Sequence, residues 1–424
     1  MTRTVELLEM PTGPALLEVL PRLARAIEGT GPALAPVAIG DHHQIELLTA
    51  AFGIGAPLSA DEDDPDDPTV IVIATSGSTG TPKGTLLTRS ALTASAAATA
   101  QRLGPPGTWL LALPTQHIAG LQVLLRSLTT GTTPHVLDTG LPFTPERFVT
   151  STRSLPDGPR YLSLVPTQLQ RVLTDDDATT ELRTFTAVLV GGAATAGAVL
   201  QRAGDAGINV VTTYGMSETC GGCVYDGVPL DGIEVTLEPD GRIVLQGPMV
   251  GRGYRNLPGH PAFPLTTGQR HHTFRTDDLG EWADGRLRIL GRIDDVIVTG
   301  GLKIAPTTLE EAIARLPGVA EVLVVGVPDA TWGQSPAALV VPIRATDQPD
   351  TRNATAQPDA PSLADLRAAC DQAGIPRALH PRSLTLVREL PLRGPGKPDR
   401  TAAVTLVASA AVSATMAPTP SQPG

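Results

Sequence analysis

Strand-like and helix-like apolar segments alternate between residues 69 and 212, and this alternation constrains the fold more than any other feature of the sequence. The first segment, residues 69–74, is a short β-branched run that is typical of a buried strand. Strands that alternate with helices indicate βαβ units and a mostly parallel sheet. The further segments are predicted strands at 109–113, 161–165, 187–190 and 209–212, and predicted helices at 90–103, 118–128, 166–173 and 196–203.

The pattern changes after residue 229, where short apolar runs flank turn sequences. A turn at 238–241 and a second one within 282–290 predict antiparallel hairpins. A further α/β unit begins at residue 296. We therefore predict an α/β protein with a large N-terminal domain of mixed and parallel sheets flanked by helices, a small antiparallel β region, and a smaller, mobile α+β C-terminal domain.

The predicted domains follow these changes in pattern. An acidic, proline-broken linker at 61–68 precedes the first buried strand, and the last residues are rich in Ala, Ser, Thr and Pro. The predicted boundaries are 1–68 for a trimmed N-terminal segment with its acidic linker, 69–293 for the large domain, 294–405 for the small domain and 406–424 for a disordered tail.

The composition excludes several classes of protein. Acidic residues number 43 and basic residues 32, and the resulting net charge of −11 argues against a nucleic-acid or anionic-membrane surface as the main partner. Three cysteines among 424 residues do not make a disulfide framework, so a reducing compartment is expected. The N-terminus lacks a secretory signal, and no apolar run reaches the ~18 residues of a transmembrane helix. We expect a cytoplasmic protein without stable membrane insertion.

A loop rich in glycine and hydroxyl side chains, residues 75–84, directly follows the first predicted strand. Its glycines allow backbone conformations that are closed to other residues, so several N–H groups can point at one anion. The loop ends differently from a Walker A motif, because Pro82 precedes its lysine and Gly84 follows it. The chemistry fits a polyphosphate, and the candidate binding residues are Thr75, Ser76, Gly77, Ser78, Thr79, Gly80 and Lys83.

This loop resembles the phosphate-binding signature of the AMP-forming adenylating superfamily, which includes acyl-CoA synthetases, peptide-synthetase adenylation domains and luciferases. Residues 213–219 resemble the Tyr-Gly-x-Thr-Glu motif of that superfamily, with Ser217 in place of Thr. The resemblance implies that Tyr214, followed by Gly215, stacks on the adenine of a nucleotide. It also implies that Ser217 contacts the α-phosphate and that Glu218 ligates Mg²⁺, a cation that prefers oxygen ligands.

Two further segments extend the resemblance to the nucleoside. A predicted strand ends in Gly191, Gly192 and Ala193, and the corresponding turn in the superfamily lies beside the adenine. Residues 274–280 resemble the motif Tyr-Arg-Thr-Gly-Asp-Leu, which implies that Asp278 accepts hydrogen bonds from the ribose hydroxyls. Asp277 stands where the motif has Gly, and Asp adopts left-handed backbone conformations less readily than Gly.

The beginning of the predicted small domain also resembles the superfamily. Residues 291–297 are similar to its interdomain hinge motif. The resemblance implies that Arg292 reaches the nucleotide and that Asp294 is the pivot, where a few torsions absorb a domain rotation. It further implies that Gly300 and Gly301 line the thiol tunnel after that rotation.

Lysine is rare in this chain, which has 29 arginines among its 32 basic residues and only Lys83, Lys303 and Lys397 as lysines. All three lie in segments that resemble superfamily motifs, although no role is assigned to Lys303. Residues 391–400 resemble the last motif, Pro-x-x-x-x-Gly-Lys. The resemblance implies that Lys397 bridges the carboxylate of the acid and the α-phosphate, where it stabilises charge as the carboxylate attacks.

Candidates for binding the acid lie at 113–126. Residues 113–122 resemble a strand-to-helix junction whose His borders the acyl pocket, which implicates His117. Arg126 follows nine residues later, and a cation there could pair with a second carboxylate on the substrate. Together with residues 214–220 and the short segment before the phosphate loop, this arrangement is similar to the o-succinylbenzoate–CoA ligases of menaquinone synthesis, whose substrate carries two carboxylates.

The sequence thus predicts an acid–CoA ligase that forms an acyl-adenylate from ATP and a carboxylic acid and then an acyl-CoA thioester. The predicted cofactors and co-substrates are ATP, Mg²⁺ and coenzyme A, and the favoured acid is o-succinylbenzoate. Three alternatives stay open: another acyl- or aryl-CoA ligase, a free-standing adenylation domain that loads a carrier protein, and a non-catalytic nucleotide-binding regulator. No nucleic-acid partner is expected, and a homo-oligomer is possible. Cys220 and Cys223 form a single C-x-x-C, which is weak evidence for metal or redox chemistry.

Overall fold

The structure is a computed structural model that describes residues 3–75, 82–264, 272–343, 360–393 and 397–415. Its chain divides into two compact units. Unit 1 consists of Met1–Thr195, Arg202–Thr276 and Gly280–Arg288, and unit 2 consists of Ala196–Gln201, Asp277–Leu279 and Ile289–Gly424. The main segment of unit 2 begins at Ile289, and the small domain was predicted from residue 294.

All the strands predicted between residues 69 and 212 are present. In chain order, the strands of the described residues are β1 (Val5–Met10), β2 (Ala33–Ala38), β3 (Thr69–Thr75), β4 (Lys83–Thr88), β5 (Thr108–Leu111), β6 (His135–Val136), β7 (Arg160–Leu164), β8 (Ala187–Gly191), β9 (Val210–Met216), β10 (Gly221–Tyr225), β11 (Val228–Pro229), β12 (Glu234–Leu237), β13 (Arg242–Gln246), β14 (Gly253–Tyr254), β15 (Thr273–Ala283), β16 (Arg286–Arg292), β17 (Ile297–Thr299), β18 (Leu302–Ile304), β19 (Val319–Asp329), β20 (Gly333–Pro342), β21 (Ser383–Leu386), β22 (Leu392–Arg393) and β23 (Lys397–Pro398).

The predicted helices of this region are also present. In chain order, the helices of the described residues are α1 (Leu20–Ile27), α2 (His42–Phe52), α3 (Arg89–Leu103), α4 (Ile118–Thr130), α5 (Pro145–Arg153), α6 (Pro166–Val172), α7 (Asp176–Leu182), α8 (Gly197–Asp205), α9 (Pro306–Ile313), α10 (Leu363–Gln372) and α11 (Arg400–Thr415). None of them, over the ranges given above, combines the length and apolarity that a membrane span requires.

The largest sheet of unit 1 has seven strands in the order β11-β10-β9-β8-β7-β5-β6. Strands β9, β8, β7, β5 and β6 are parallel, whereas β10 and β11 form an antiparallel edge. The parallel strands are apolar along most of their length, as expected when helices cover both faces of a sheet. This arrangement confirms the predicted βαβ architecture and brings the carboxyl ends of these strands to one edge.

The second sheet of unit 1 has the order β1-β2-β3-β4-β14. The first three strands are parallel, and β4 is antiparallel to both β3 and β14. Residues 1–68, expected to form a separate segment, thus contribute β1 and β2 to the same sheet as the phosphate loop. The acidic linker is also tied to this sheet, because its buried Glu62 forms an ion pair with Arg255, the residue that follows β14.

The predicted antiparallel region forms a sheet of order β12-β13-β15-β16. Its first hairpin turns at 238–241, as predicted. Its second hairpin turns through Asp284 and Gly285, whose φ angles of 50° and 72° are those of a type I′ turn. Asp277 lies inside strand β15 and is not among the residues with positive φ, so this position does not require glycine.

Unit 2 contains a sheet of order β18-β17-β20-β19, with β21 paired to β20. Leu309 and Ile313 of α9 pack with Leu366 of α10 and with the sheet in one apolar core. Helix α11 packs against the other side through Ala403 and Val407. The predicted disordered tail began at residue 406, but α11 extends to Thr415 because its first turns bury apolar side chains.

Candidate active site

The phosphate loop connects two antiparallel strands of unit 1. Thr75 at the end of β3 pairs with Lys83 at the start of β4, so the strands close the loop at its base. Gly84 is required for packing, because a Cβ at this position would lie 2.8 Å from both Phe52 Cε1 and Val72 Cγ1. Of the predicted phosphate-binding residues, those from Ser76 to Gly80 lie outside the described residues.

Glu218 lies in a short 3-10 turn, Ser217–Thr219, that packs against β3 and β4. Its side chain is only 7% exposed, and Oε1 accepts a 2.7 Å hydrogen bond from the Tyr254 hydroxyl. The backbone carbonyl of Glu218 accepts a 2.8 Å hydrogen bond from Gly251, which fixes the turn. A carboxylate with accepting oxygens near the phosphate loop has the chemistry that Mg²⁺ requires.

Lys83 and His260 meet above the ring of Tyr254. Lys83 Nζ lies 3.2 Å from His260 Nε2 and 5.1 Å from the centroid of the Tyr254 ring. The His260 and Tyr254 rings are 4.8 Å apart and edge-to-face, with an interplanar angle of 86°. We call Lys83, Glu218, Tyr254 and His260 the Lys83 cluster.

The predicted adenine-binding residues lie at the carboxyl edge of the seven-stranded sheet. Gly191 at the end of β8 pairs with Thr213 of β9, so Gly192 and Tyr214 follow at the same edge. A Cβ at Gly191 would lie 2.2 Å from Thr213 Oγ1, and one at Gly215 would lie 2.1 Å from a backbone carbonyl oxygen of β10. Both glycines therefore have a packing reason in addition to their predicted role at the nucleotide.

The two predicted acid-binding residues are not adjacent. His117 is exposed at the N-cap position of α4, whereas Arg126 lies in the buried third turn. Nine residues of α-helix separate them by about 13 Å along the axis and place them on opposite sides of the helix. The predicted roles of both residues stay hypotheses. One carboxylate of a substrate cannot contact both side chains at this separation.

Arg126 is buried among aromatic and polar side chains of unit 1. Its side chain is 5% exposed, and its guanidinium carbon lies 4.9 Å from the centroid of the Trp109 ring. Nη2 lies 3.5 Å from the hydroxyl of Tyr225, which in turn lies 3.1 Å from Thr99 Oγ1. The buried Nε has no hydrogen-bond acceptor among the described residues. We call Trp109, Arg126, Tyr225 and Thr99 the Arg126 cluster.

The segment from Glu218 to Tyr225 connects the two clusters, and its two cysteines lie between them. Gln122 Nε2 and Ser95 Oγ both donate hydrogen bonds to the carbonyl of Cys220. Burial raises the pKa of the Cys220 thiol and raises that of Cys223 to about 12. Both thiols are therefore neutral near pH 7. No group of three His, Cys, Asp or Glu side chains that could hold a metal ion occurs among the described residues.

Several predicted site residues lie in unit 2. Asp278 lies in β15, and Arg292 at the end of β16 forms exposed ion pairs with Asp277 at 3.5 Å and Asp294 at 3.8 Å. Asp294 belongs to the 3-10 turn that follows β16. The next residue, Asp295, pairs with Arg400 at 3.1 Å, which anchors the start of α11 beside the predicted pivot.

The predicted thiol-tunnel loop is a tight hairpin turn. Gly300 and Gly301 connect β17 to β18 with φ angles of 57° and 82°, a combination that strongly favours glycine. A Cβ at Gly300 would lie 2.7 Å from Trp332 Cε3. Lys303 is exposed on β18, and Lys397 begins β23, paired with Arg393 of β22.

Sequence reasoning missed several residues of the two clusters. Tyr254 and His260 lie in a segment without a recognised motif. Trp109 was predicted only as the start of a strand, and no prediction was made for Tyr225. The sequence signal that could have drawn attention to Tyr254 and His260 is their presence in a polar, glycine-containing segment, where a tyrosine and a histidine are typical of a binding site. Their proximity to Lys83 and Arg126 depends on pairings such as β14 with β4, which the sequence pattern did not indicate.

Comparisons with known proteins identify the family of the chain. The AMP-binding enzyme family matches residues 37–255, and the AMP-binding enzyme C-terminal domain matches residues 308–397. The chain is 42% identical over 400 residues to a probable 2-succinylbenzoate–CoA ligase of Mycobacterium tuberculosis, with 94% of this chain and 97% of the relative covered. A 2-succinylbenzoate–CoA ligase of Listeria monocytogenes serotype 4b is 31% identical over 345 residues, with 78% of this chain and 68% of that protein covered.

Solved structures share the fold. ATP-bound MatB from Rhodopseudomonas palustris has a TM-score of 0.76 and 21% identity, with 96% of this chain and 89% of that chain covered. The o-succinylbenzoate CoA synthetase MenE from Bacillus subtilis, in complex with the acyl-adenylate intermediate OSB-AMP, has a TM-score of 0.69 and 24% identity, with 94% and 87% covered. The resemblance drawn from the motifs is thus confirmed, and the chain belongs to the AMP-binding enzyme family.

Proposed function

We propose that this protein is an AMP-forming acid–CoA ligase whose acid is o-succinylbenzoate. ATP and the acid would first give an acyl-adenylate and pyrophosphate, and the thiol of coenzyme A would then displace AMP to give the thioester. The 42% identical relative bears the name of this activity, and its match covers 94% of the chain. We also propose that the protein works in the cytoplasm, where these substrates occur.

The choice of o-succinylbenzoate rests on one observation, the burial of the Arg126 guanidinium beside neutral side chains. A buried guanidinium is costly unless a negative charge or hydrogen-bond acceptors compensate it. Arg126 is 5% exposed, its neighbours Trp109 and Tyr225 carry no negative charge, and its Nε has no acceptor among the described residues. A substrate carboxylate would supply the missing acceptor, and o-succinylbenzoate retains one after the other has reacted.

The Lys83 cluster supplies the chemistry for the nucleotide. Glu218 offers an oxygen ligand for Mg²⁺, which neutralises phosphate charge when bound. Lys83 lies at the base of the loop that resembles the phosphate signature. Ser217 lies in the same turn as Glu218, where a hydroxyl could donate to the α-phosphate.

We propose that Lys397 supports only the first half-reaction. Its ammonium group would stabilise the charge that develops as the carboxylate attacks the α-phosphate. In Lys397→Ala, adenylate formation should be abolished, whereas thioester formation from supplied acyl-adenylate should be largely retained. Equal loss of both steps would refute this division of labour.

The decisive experiment is an acid screen with the purified full-length protein. Pyrophosphate release is measured with o-succinylbenzoate, substituted benzoates and fatty acids, each with ATP and Mg²⁺, and products are identified by mass spectrometry. The proposal expects o-succinylbenzoyl-CoA and AMP with the first acid only. Omitting CoA while supplying a carrier protein identifies the acceptor. Nucleotide binding without turnover of any acid would instead support a regulatory protein.

A further inference from the structure

Two hydrogen-bond donors face each other in the Lys83 cluster. His260 Nδ1 lies 3.2 Å from the backbone nitrogen of Ala262, whose N–H can only donate. The imidazole ring carries at least one proton, so this contact assigns that proton to Nε2. Nε2 lies 3.2 Å from the ammonium group of Lys83, which has three donors and no acceptor. The two donors are close enough for one anion to accept hydrogen bonds from both.

The ring of Tyr254 holds the two donors in place. It lies 5.1 Å below Lys83 Nζ, within the range of a cation–π contact, and its edge-to-face contact with His260 places the imidazole 4.8 Å away. The hydroxyl at the far end of the ring donates to Glu218. Tyr254 therefore lies between the Glu218 carboxylate, the proposed Mg²⁺ ligand, and a pair of donors. An anion with several acceptor oxygens fits such a pair.

We propose that His260 is a phosphate-binding residue that, together with Lys83, holds the β- and γ-phosphates of ATP. The inference rests on the proposed function, because that reaction supplies the polyphosphate. When a carboxylate oxygen bonds to the α-phosphorus, the bond from that phosphorus to the bridging oxygen breaks, and its electron pair leaves with pyrophosphate. Nε2–H and the ammonium group face the oxygens that gain this charge, where fixed donors act most strongly.

The test compares three ligands by titration calorimetry on the full-length chain: MgATP, magnesium pyrophosphate and AMP. His260→Ala should raise the dissociation constants of ATP and pyrophosphate about tenfold or more, since each lost hydrogen bond to a charged group has an effect of this size. AMP affinity and the melting temperature should stay unchanged. His260→Gln, whose amide can donate, should recover part of the loss. His43→Ala, an exposed histidine of α2, is the matched control.

Two outcomes would overturn the inference. Unchanged affinities for all three ligands would show that His260 does not contact the polyphosphate, and an equal loss for AMP would show a structural role. The binding test and the acid screen can fail independently, because nucleotide binding is measured without any acid. A protein that binds pyrophosphate through His260 but activates none of the acids contradicts the proposed function alone. Turnover of o-succinylbenzoate without any effect of His260→Ala on the KM for ATP contradicts this inference alone.

Discussion

The Lys83 cluster and the Arg126 cluster lie in the same unit, but they are built differently. Lys83 and His260 are half-buried at the base of a loop, and each has a charged or polar neighbour. Arg126 is buried beside the ring of Trp109 on β5 and the hydroxyl of Tyr225 on β10, and it forms no ion pair with an acidic residue in the described part of the chain. We propose that the first cluster binds the nucleotide and that the second binds the acid. The difference between an accessible polar cluster and a buried aromatic one leads us to propose that adenylation chemistry and the choice of acid depend on separate residues.

The largest expected effect concerns a buried ion pair next to Tyr254 of the Lys83 cluster. Arg255 follows Tyr254 directly, and its buried guanidinium pairs with Glu62. Arg255→Met leaves a buried carboxylate without its partner and should lower the free energy of unfolding by about 3–5 kcal/mol, measured by denaturant titration. Arg22→Met is the control, because the exposed pair of Arg22 with Glu6 should contribute less than about 1 kcal/mol. Equal losses in both variants would contradict the account.

The next prediction concerns Glu218 and tests whether the contribution of the Lys83 cluster to kcat/KM is the same for every acid. Glu218→Gln removes a proposed Mg²⁺ ligand, and since a metal contributes several kcal/mol to transition-state stabilisation, kcat/KM should fall by about 100-fold or more. The pyrophosphate assay should give the same factor for o-succinylbenzoate and for any weaker acid. A factor that depends on the acid would break the separation between the clusters.

A smaller effect is expected at the edge of the Arg126 cluster. Tyr225→Phe removes the hydroxyl that lies 3.5 Å from Arg126 Nη2, and the KM for o-succinylbenzoate should rise about three- to tenfold, the size of one hydrogen bond. The KM for ATP should not change. Tyr161→Phe is the control, because this buried tyrosine donates to the carbonyl of Pro105 instead. A parallel rise in both KM values would indicate a general loss of structure.

The smallest effect is a pH dependence of stability. Burial raises the pKa of Glu62, but hydrogen bonds from the Ser59 and Asn256 amides and the charge of Arg255 outweigh it and hold the pKa below its usual value. A carboxyl with a lowered folded-state pKa stabilises the protein above its unfolded pKa, and the contribution is lost as the pH falls through the folded value. Stability should therefore decline more steeply below pH ~4.5 in the native chain than in Glu62→Gln. Parallel declines would contradict this assignment.

The sequence predicted the parts of the molecule that local pattern controls. Alternating apolar runs predicted the strands and helices of the seven-stranded sheet. The motifs singled out Lys83 and Glu218, and the spacing from His117 singled out Arg126, but the roles of these residues stay predictions. The sequence did not predict that residues 1–68 join the phosphate-loop sheet, because the pairings β1 with β2 and β2 with β3 depend on distant segments. His260 and Tyr225 were missed for the same reason, since each acquires its partner only through tertiary contacts.

The most direct test compares o-succinylbenzoate with its two analogues that each have one carboxylate replaced by hydrogen. One of the two analogues keeps the carboxylate that reacts with ATP and lacks the carboxylate that is proposed to bind Arg126. The kcat/KM for pyrophosphate release is measured for all three acids in the native protein and in Arg126→Met. The account predicts that the native protein prefers o-succinylbenzoate by about 10- to 100-fold or more over this analogue, and that the substitution removes this preference without slowing the analogue. An unchanged preference in Arg126→Met, or an equal loss for every acid, would contradict the account.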